Sequence, residues 1–177
     1  MKAKIIFNSL KLLMLVSFFS FSCVNSKITS NKAPDFNEKI VRLYLVIKNS
    51  KGAKEFSYSF KTAFLHGLSA KQIVSDYYVM DELALESDKD INEKISKFNP
   101  QVLMIMTQTE SKGYREVNFG GSNNISGGIF DIKIMLPKSD KVIWRANLEA
   151  YGDTGIDAAV EKAAKKLLDK LIIDKLI

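Results

Sequence analysis

Apolar residues recur along this chain at two spacings, and the switches between them mark out its elements. Val41–Ile47 (VRLYLVI) is almost unbroken in apolar character, which suits a β-strand covered on both faces. Phe56, Tyr58 and Phe60 then alternate as in a strand, yet Phe56, Phe60 and Phe64 also fall at the i, i+4 spacing of a helix. Ala63 and Leu65 extend the helical face, and Gly67 stands where a helix C-terminus favours glycine, so residues 54–66 are read as helix. Ile73–Met80 (IVSDYYVM) reads as a second strand. Ser87 or Asp88 can cap a short helix with Ile91, Ile95 and Phe98 on one face, and Asn99-Pro100 ends it, because proline disfavours the α conformation in the residue before it.

The second half is regular. Val102–Met106 (VLMIM) is another buried strand, whose continuation Thr107–Glu110 turns polar as if emerging into solvent. Tyr114–Phe119 adds a further strand before a glycine-rich loop, Gly120–Gly128. Phe130, Ile132, Ile134 and Leu136 share one face of the next strand, and Val142, Trp144, Ala146, Leu148 and Ala150 one face of the strand after it. With Pro137–Lys141 between them, this predicts an antiparallel hairpin with one covered and one wet face. Thr154 offers a cap for a last helix, Ile156–Ile177, with Val160, Ala163, Ala164, Leu167, Leu168 and Leu171 on its stripe. At its end Leu171, Ile172, Ile173, Leu176 and Ile177 spread wider than one stripe, so that end is either buried or a contact surface. The order β-α-β-α-β-(β)-β-β-α predicts an α/β (α+β) fold, a single mixed sheet with helices packed on it.

The N-terminus follows different rules. Lys2, Lys4 and Lys11 are basic, no acidic residue precedes Asp35, and Leu12–Phe21 (LLMLVSFFSF) is apolar apart from small hydroxyls. This is the layout of a secretory signal peptide. A membrane-spanning helix needs ~20 apolar residues, about twice this run. Ile5, Ile6, Phe7 and Leu10 carry apolar character upstream, which leaves an uncleaved anchor as the alternative. Cleavage after residue 22 leaves 155 of the 177 residues and removes three of the 26 basic ones, so a net charge of +6 becomes +3. Residues 24–38 (VNSKITSNKAPDFNE) are polar and without period. Residues 23–39 therefore read as the lipid-bearing start and a flexible tether, and 40–177 as one periplasmic domain.

Ser20-Phe21-Ser22-Cys23 resembles a lipobox of the looser kind found in Bacteroidota, with Ser20 where leucine usually stands. The resemblance implies cleavage before Cys23 and lipidation of that residue by acyl chains such as palmitate. The strand after Asn99-Pro100, the hairpin carrying Val142-Ile143-Trp144-Arg145 and the terminal Ala/Lys/Leu helix resemble, in their order, a group of small envelope lipoprotein domains. That group surrounds the curli-secretion lipoprotein CsgG, the N-terminal domain of TolB and the penicillin-binding-protein activator lipoproteins. The likeness covers Ile40–Ile177 and implies an adaptor or assembly role. It departs from the curli pore in lacking an evident pair of long amphipathic hairpins.

Chemistry is sparse by comparison. One cysteine forms no internal disulfide and no cysteine-based metal site, and lipidation accounts for it. His66 is the lone histidine, at a predicted helix C-terminus, where it is an ordinary stabilising feature. Asp81-Glu82 and Asp88-Lys89-Asp90 have the residue types of acid–base pairs but lie at predicted loops and helix starts. Neither Gly-Lys-Ser/Thr nor a following helix makes Gly120–Gly128 a phosphate cradle. Gly120, Gly121, Asn123, Asn124, Gly127 and Gly128 are instead the candidate partner-contact loop, since loops on rigid scaffolds often carry binding residues.

No catalytic residue, metal or cofactor is expected. The expected partners are a membrane, through the N-terminal lipid, and an envelope protein. Nucleic acid is not expected, because no concentrated basic stripe with interleaved aromatics is present. These readings give a non-enzymatic scaffold, adaptor or assembly factor in the cell envelope, facing the periplasm, with the outer membrane preferred over the inner. The alternative is a module binding a small molecule or glycan through the glycine-rich loop and Tyr77, Tyr78 and Tyr114.

Overall fold

The apolar run at Val41–Ile47 becomes the strand with a covered face on each side, and the sheet is built outward from it. The computed structural model describes residues 24–48, 54–80, 85–118, 121–152 and 156–177. Along the chain these form β1 (Val24–Lys32), β2 (Arg42–Lys48), α1 (Lys54–Ala70), β3 (Val74–Met80) and α2 (Asp88–Phe98). Then come β4 (Val102–Asn118), β5 (Gly121–Met135), β6 (Val142–Gly152) and α3 (Ile156–Ile173). The six strands make one mixed sheet in the order β1-β6-β5-β4-β2-β3. β2 is parallel to both β3 and β4, and the remaining neighbours are antiparallel. This is the predicted α+β architecture.

Two helices cover one face. Leu43, Leu45 and Ile47 of β2 point into a core shared with Phe56, Phe60, Phe64 and Leu68 of α1 and with Ala163, Leu167 and Leu171 of α3. The ambiguous aromatic stripe is thus helical. Its rings stack at 5.9 Å (Phe56–Phe60), 5.6 Å (Phe60–Phe64) and 4.9 Å (Phe56–Phe130), while Tyr58, which strand alternation would bury, is 41 % exposed. The helix does not stop at Gly67 but runs to Ala70. Gly67 is needed for approach instead, since a Cβ there would lie 2.1 Å from Leu168 Cδ1 of α3. On the opposite face Tyr44 and Val46 meet Tyr78 and Ile91, with Ile95, Phe98, Leu103 and Ile105 around them, so α2 covers β2, β3 and β4. Ser87 caps α2 in a reciprocal box with Asp90, and Asn99 ends it in a left-handed conformation, φ 51°.

Three expectations need correcting. Residues 24–32 are not a tether but strand β1, paired with β6 from Val24↔Gly152 to Lys32↔Trp144. Its inward positions Ser26, Ile28 and Ser30 include a single apolar residue, which is why no hydrophobic period announced it. Residues 121–128 of the glycine-rich segment are not a loop. β4 continues to Asn118 and β5 begins at Gly121, so 121–128 are paired strand, and residues 114–118 of the expected strand are the far part of β4. The last helix ends at Ile173 rather than Ile177. Lys175 is left-handed (φ 57°), and the Leu176 and Lys175 amides donate to the Leu171 and Ile172 carbonyls, a Schellman closure made without glycine. Leu171 and Leu176 are buried there, whereas Ile172 and Ile173 are 41 % and 68 % exposed. The Thr154 cap lies outside the described residues.

Asp174, just past α3, binds β1, β6 and α3 together. Trp144, buried in the core, donates its indole N–H to Asp174 Oδ2 (2.7 Å), and the Ser30 hydroxyl donates to the same oxygen (2.5 Å). Lys170 Nζ reaches Oδ1 at 2.9 Å, and Lys32 Nζ reaches the Asp174 carbonyl at 3.1 Å. Burial raises the Asp174 pKa, but the hydrogen bonds from Ser30, Lys170 and Trp144 outweigh it and leave the carboxyl below its ordinary value. Asp174→Ala leaves the buried indole N–H without its acceptor and is expected to cost about 1–3 kcal/mol of stability in urea unfolding. Asp174→Asn, which keeps an acceptor oxygen, should cost less. A folded pKa below the unfolded one makes this contribution complete above about pH 4–5 and lost as pH falls through the lower folded value. The gap between wild type and Asp174→Asn should therefore close in acid.

Candidate functional site

Cys23 lies outside the described residues, but its neighbour Val24 is the first residue of β1. Val24 pairs with Gly152 of β6, Gly152 with Ser126 of β5, and Ser126 with Gly113 of β4. These four residues form a row across one end of the sheet. Beyond the row the described residues of β6 and β1 contribute no further pairs. Among the described strands only β4 and β5 continue, as a two-stranded ribbon from Tyr114↔Ile125 to Asn118↔Gly121.

This placement answers the glycine-rich expectation residue by residue. Gly121, Asn123 and Asn124 are in the ribbon, paired with Asn118, Glu116 and Arg115, and Gly120 lies outside the described residues. Gly127 and Gly128 lie where four strands, β1, β6, β5 and β4, still run side by side. A Cβ on Gly127 would meet the Ala150 carbonyl oxygen at 2.0 Å, and one on Gly128 the Glu110 carbonyl oxygen at 2.6 Å. The register of β4 slips between Gln108 and Glu110, and Thr109 Oγ1 donates to the Ile129 carbonyl (3.1 Å). The two glycines let backbone approach backbone beside this bulge, where the ribbon leaves the sheet.

The other expected groups do not converge. His66 is exposed within α1 and lines an open groove of about 1100 Å³ between α1 and α3, with Tyr58, Lys61, Glu161 and Lys165. Lys61 Nζ lies 4.3 Å from the Tyr77 ring centre and 5.9 Å from that of Tyr58, a cation–π arrangement at the groove margin. Tyr77 and Tyr78 pair with Leu45 and Val46 at the β3 edge. Leu45 in turn pairs with Met104, and Tyr114 is ten residues further along β4, about 33 Å at a strand's rise. The three tyrosines therefore share no site. Asp90 serves the α2 cap, its carboxyl held below the ordinary value chiefly by the Ser87 hydroxyl. Asp81-Glu82 lies outside the described residues. Among the described residues, no three of His, Cys, Asp and Glu gather as a metal-binding group.

The face of β5, β6 and β1 away from α1 and α3 is polar. Arg145 Nε donates to Asp131 Oδ1 (2.8 Å), and Lys133 Nζ lies 3.5 Å from Oδ2 of the same carboxylate. Exposed Lys27, Thr29, Asn31 and Asn147 complete it. This is the wet face expected of the hairpin.

No protein-family model and no curated protein sequence matches the chain. Solved structures do. The PelC dodecamer from Paraburkholderia phytofirmans is 14 % identical, with a TM-score of 0.55 over 83 % of this chain and 97 % of that one. A single-substitution variant of the same dodecamer is 16 % identical, with a TM-score of 0.55 over 81 % and 96 %. A looser likeness, TM-score 0.42 at 11 % identity over 75 % and 99 %, is to lipoprotein GNA1162 from Neisseria meningitidis. At these identities the PelC likeness is one of fold.

The glycine contacts generate a contrast. Gly127→Ala presses on backbone that cannot move aside and should destabilise the protein by about 1–3 kcal/mol. Gly67→Ala meets only the tip of Leu168 and gains about 1 kcal/mol of helix propensity, so its net effect should be clearly smaller. Thermal unfolding of the two variants checks the order.

Proposed function

We propose that this protein is a lipid-anchored component of the cell envelope, exported by residues 1–22 and held through Cys23. Its domain acts as a non-catalytic scaffold or adaptor for another envelope component, at the outer membrane in preference to the inner. The observation that carries this reading is the basic start Lys2, Lys4 and Lys11 and the apolar run Leu12–Phe21, which ends at Ser22 and the chain's single cysteine, Cys23. No helix among the described residues is long and apolar enough to cross a membrane, so in this reading the lipid provides the attachment.

The scaffold role is supported by what the domain presents. β1 and β3 end the sheet, and the α1/α3 groove and the polar face of β5, β6 and β1 are open. PelC, which shares the fold, is described as a dodecamer, an instance of this fold used as a unit of a larger assembly. The test joins anchor and role. Wild-type cells fed labelled fatty acid should label the protein and retain it in the membrane fraction. Photocrosslinkers at Lys61 and Asn147 should trap the same envelope protein, or a second copy, in repeated experiments. Cys23→Ala should lose both label and retention and should trap that partner poorly. Crosslinks scattered over unrelated proteins, or a Cys23→Ala protein that stays labelled and membrane-bound, would contradict the proposal.

A further inference from the structure

The geometry points to a docked domain: the end of the sheet bearing the β4–β5 ribbon rests against the headgroup layer of the bilayer that holds the lipid anchor. This rests on the anchor at Cys23 proposed above and goes beyond it by fixing which surface meets the membrane.

The length of chain between anchor and fold carries the argument. A flexible tether of about 15 residues would let a domain wander ~20 Å from its lipid. Here Cys23 is joined directly to Val24, which is already paired with Gly152. One peptide unit spans ~3.8 Å, so the row Val24–Gly152–Ser126–Gly113 lies at the height of the anchored residue. From that row the ribbon, Tyr114–Asn118 paired with Gly121–Ile125, continues outward for ~17 Å at a strand's rise. It starts two to three strand spacings from Val24, at most ~14 Å to the side. The domain body lies on the other side of the row. β1 runs back into it toward Lys32, and the Pro137–Lys141 turn and Asp174 lie at the far end. With Cys23 at the surface, the ribbon therefore reaches the bilayer first. Lifting it clear would require tipping the whole sheet by about 50° toward its β1 edge, as those two lengths dictate.

The depth of contact follows from the backbone. Past the row each ribbon strand has one partner among the described strands, leaving amide and carbonyl groups along both outer edges. Hydrocarbon does not tolerate such groups, whereas headgroups and their water satisfy them.

The chain's single cysteine makes the test direct. The mature chain beginning at Cys23 is coupled through that thiol to a maleimide-bearing phospholipid in vesicles of phosphatidylethanolamine and phosphatidylglycerol. Amide hydrogen exchange is then compared with the uncoupled chain. Docking predicts exchange slowed about tenfold or more over Tyr114–Asn118 and Gly121–Ile125, with Pro137–Lys141 unchanged. A Gly/Ser spacer of about 15 residues inserted between Cys23 and Val24 should abolish the slowing. Equal exchange in coupled and free chains, or slowing that survives the spacer, overturns the inference. Slowing seen only in native envelope membranes overturns it in favour of a protein occupant. The chemical coupling supplies the anchor in every case. The mass of cell-made Cys23 separately decides natural lipidation, so the two readings fail by different signals.

Discussion

Nine consecutive pairs, Val24↔Gly152 to Lys32↔Trp144, hold a segment with almost no apolar side chains to the edge of the sheet. Hydrophobic burial cannot account for this alone, because Ile28 is the one apolar residue among the inward positions Ser26, Ile28 and Ser30. What supplements the ladder is Asp174, which accepts from Ser30 on β1 and Trp144 on β6 while pairing with Lys170 on α3. A carboxylate fixed by several donors in a half-buried position gives charge-assisted hydrogen bonds, stronger than neutral ones. The outer strand thus depends on a carboxylate just past the end of α3.

The rest of the sheet has more conventional support. β2 is lined on one face by the α1 phenylalanines and α3, and on the other by α2. Arg42 ties these layers together, its guanidinium 4.1 Å from the Phe98 ring centre and donating to the Phe98 carbonyl at the C-terminus of α2. Close approach of α1 to α3 depends on Gly67 and on the alanines of α3. Around this centre the β5–β6 hairpin and the edge strand extend the sheet to one side, where α3 covers them, with Phe56 of α1 stacked on Phe130 of β5, and the other face stays wet.

Legibility in the sequence followed the strength of each element's apolar signal. The continuous runs of β2 and β4, the alternation in β5 and in β6 from Trp144 onward, Ser87 as one of two cap candidates and the helix end at Asn99-Pro100 became what they announced. Val142, expected on the covered face, is instead 44 % exposed beside the register slip at Ile134/Met135. The segment Phe56–Phe64 was ambiguous because its aromatic residues satisfy both periods, and the packing of Phe56 on Phe130 decided it. β1 and the β5 half of the ribbon were illegible for a shared reason. Most of their residues are polar or glycine, and pairing partners distant in sequence, rather than their own composition, make them strands. The candidate site suffered most. The glycines marked a real feature, but as close approach of three strands beside a bulge instead of a contact loop. The place of Cys23 gained meaning only when Val24 proved to be paired.

Anchoring without slack requires β1 to be a rigid edge strand that joins Cys23 directly to the sheet. Backbone order parameters from ¹⁵N relaxation of the mature domain test this most directly. Residues Asn25–Asn31 should match β6, near about 0.85, as expected for rigid backbone. Values below about 0.6 across this segment, with β6 still ordered, would restore the tether and contradict the account.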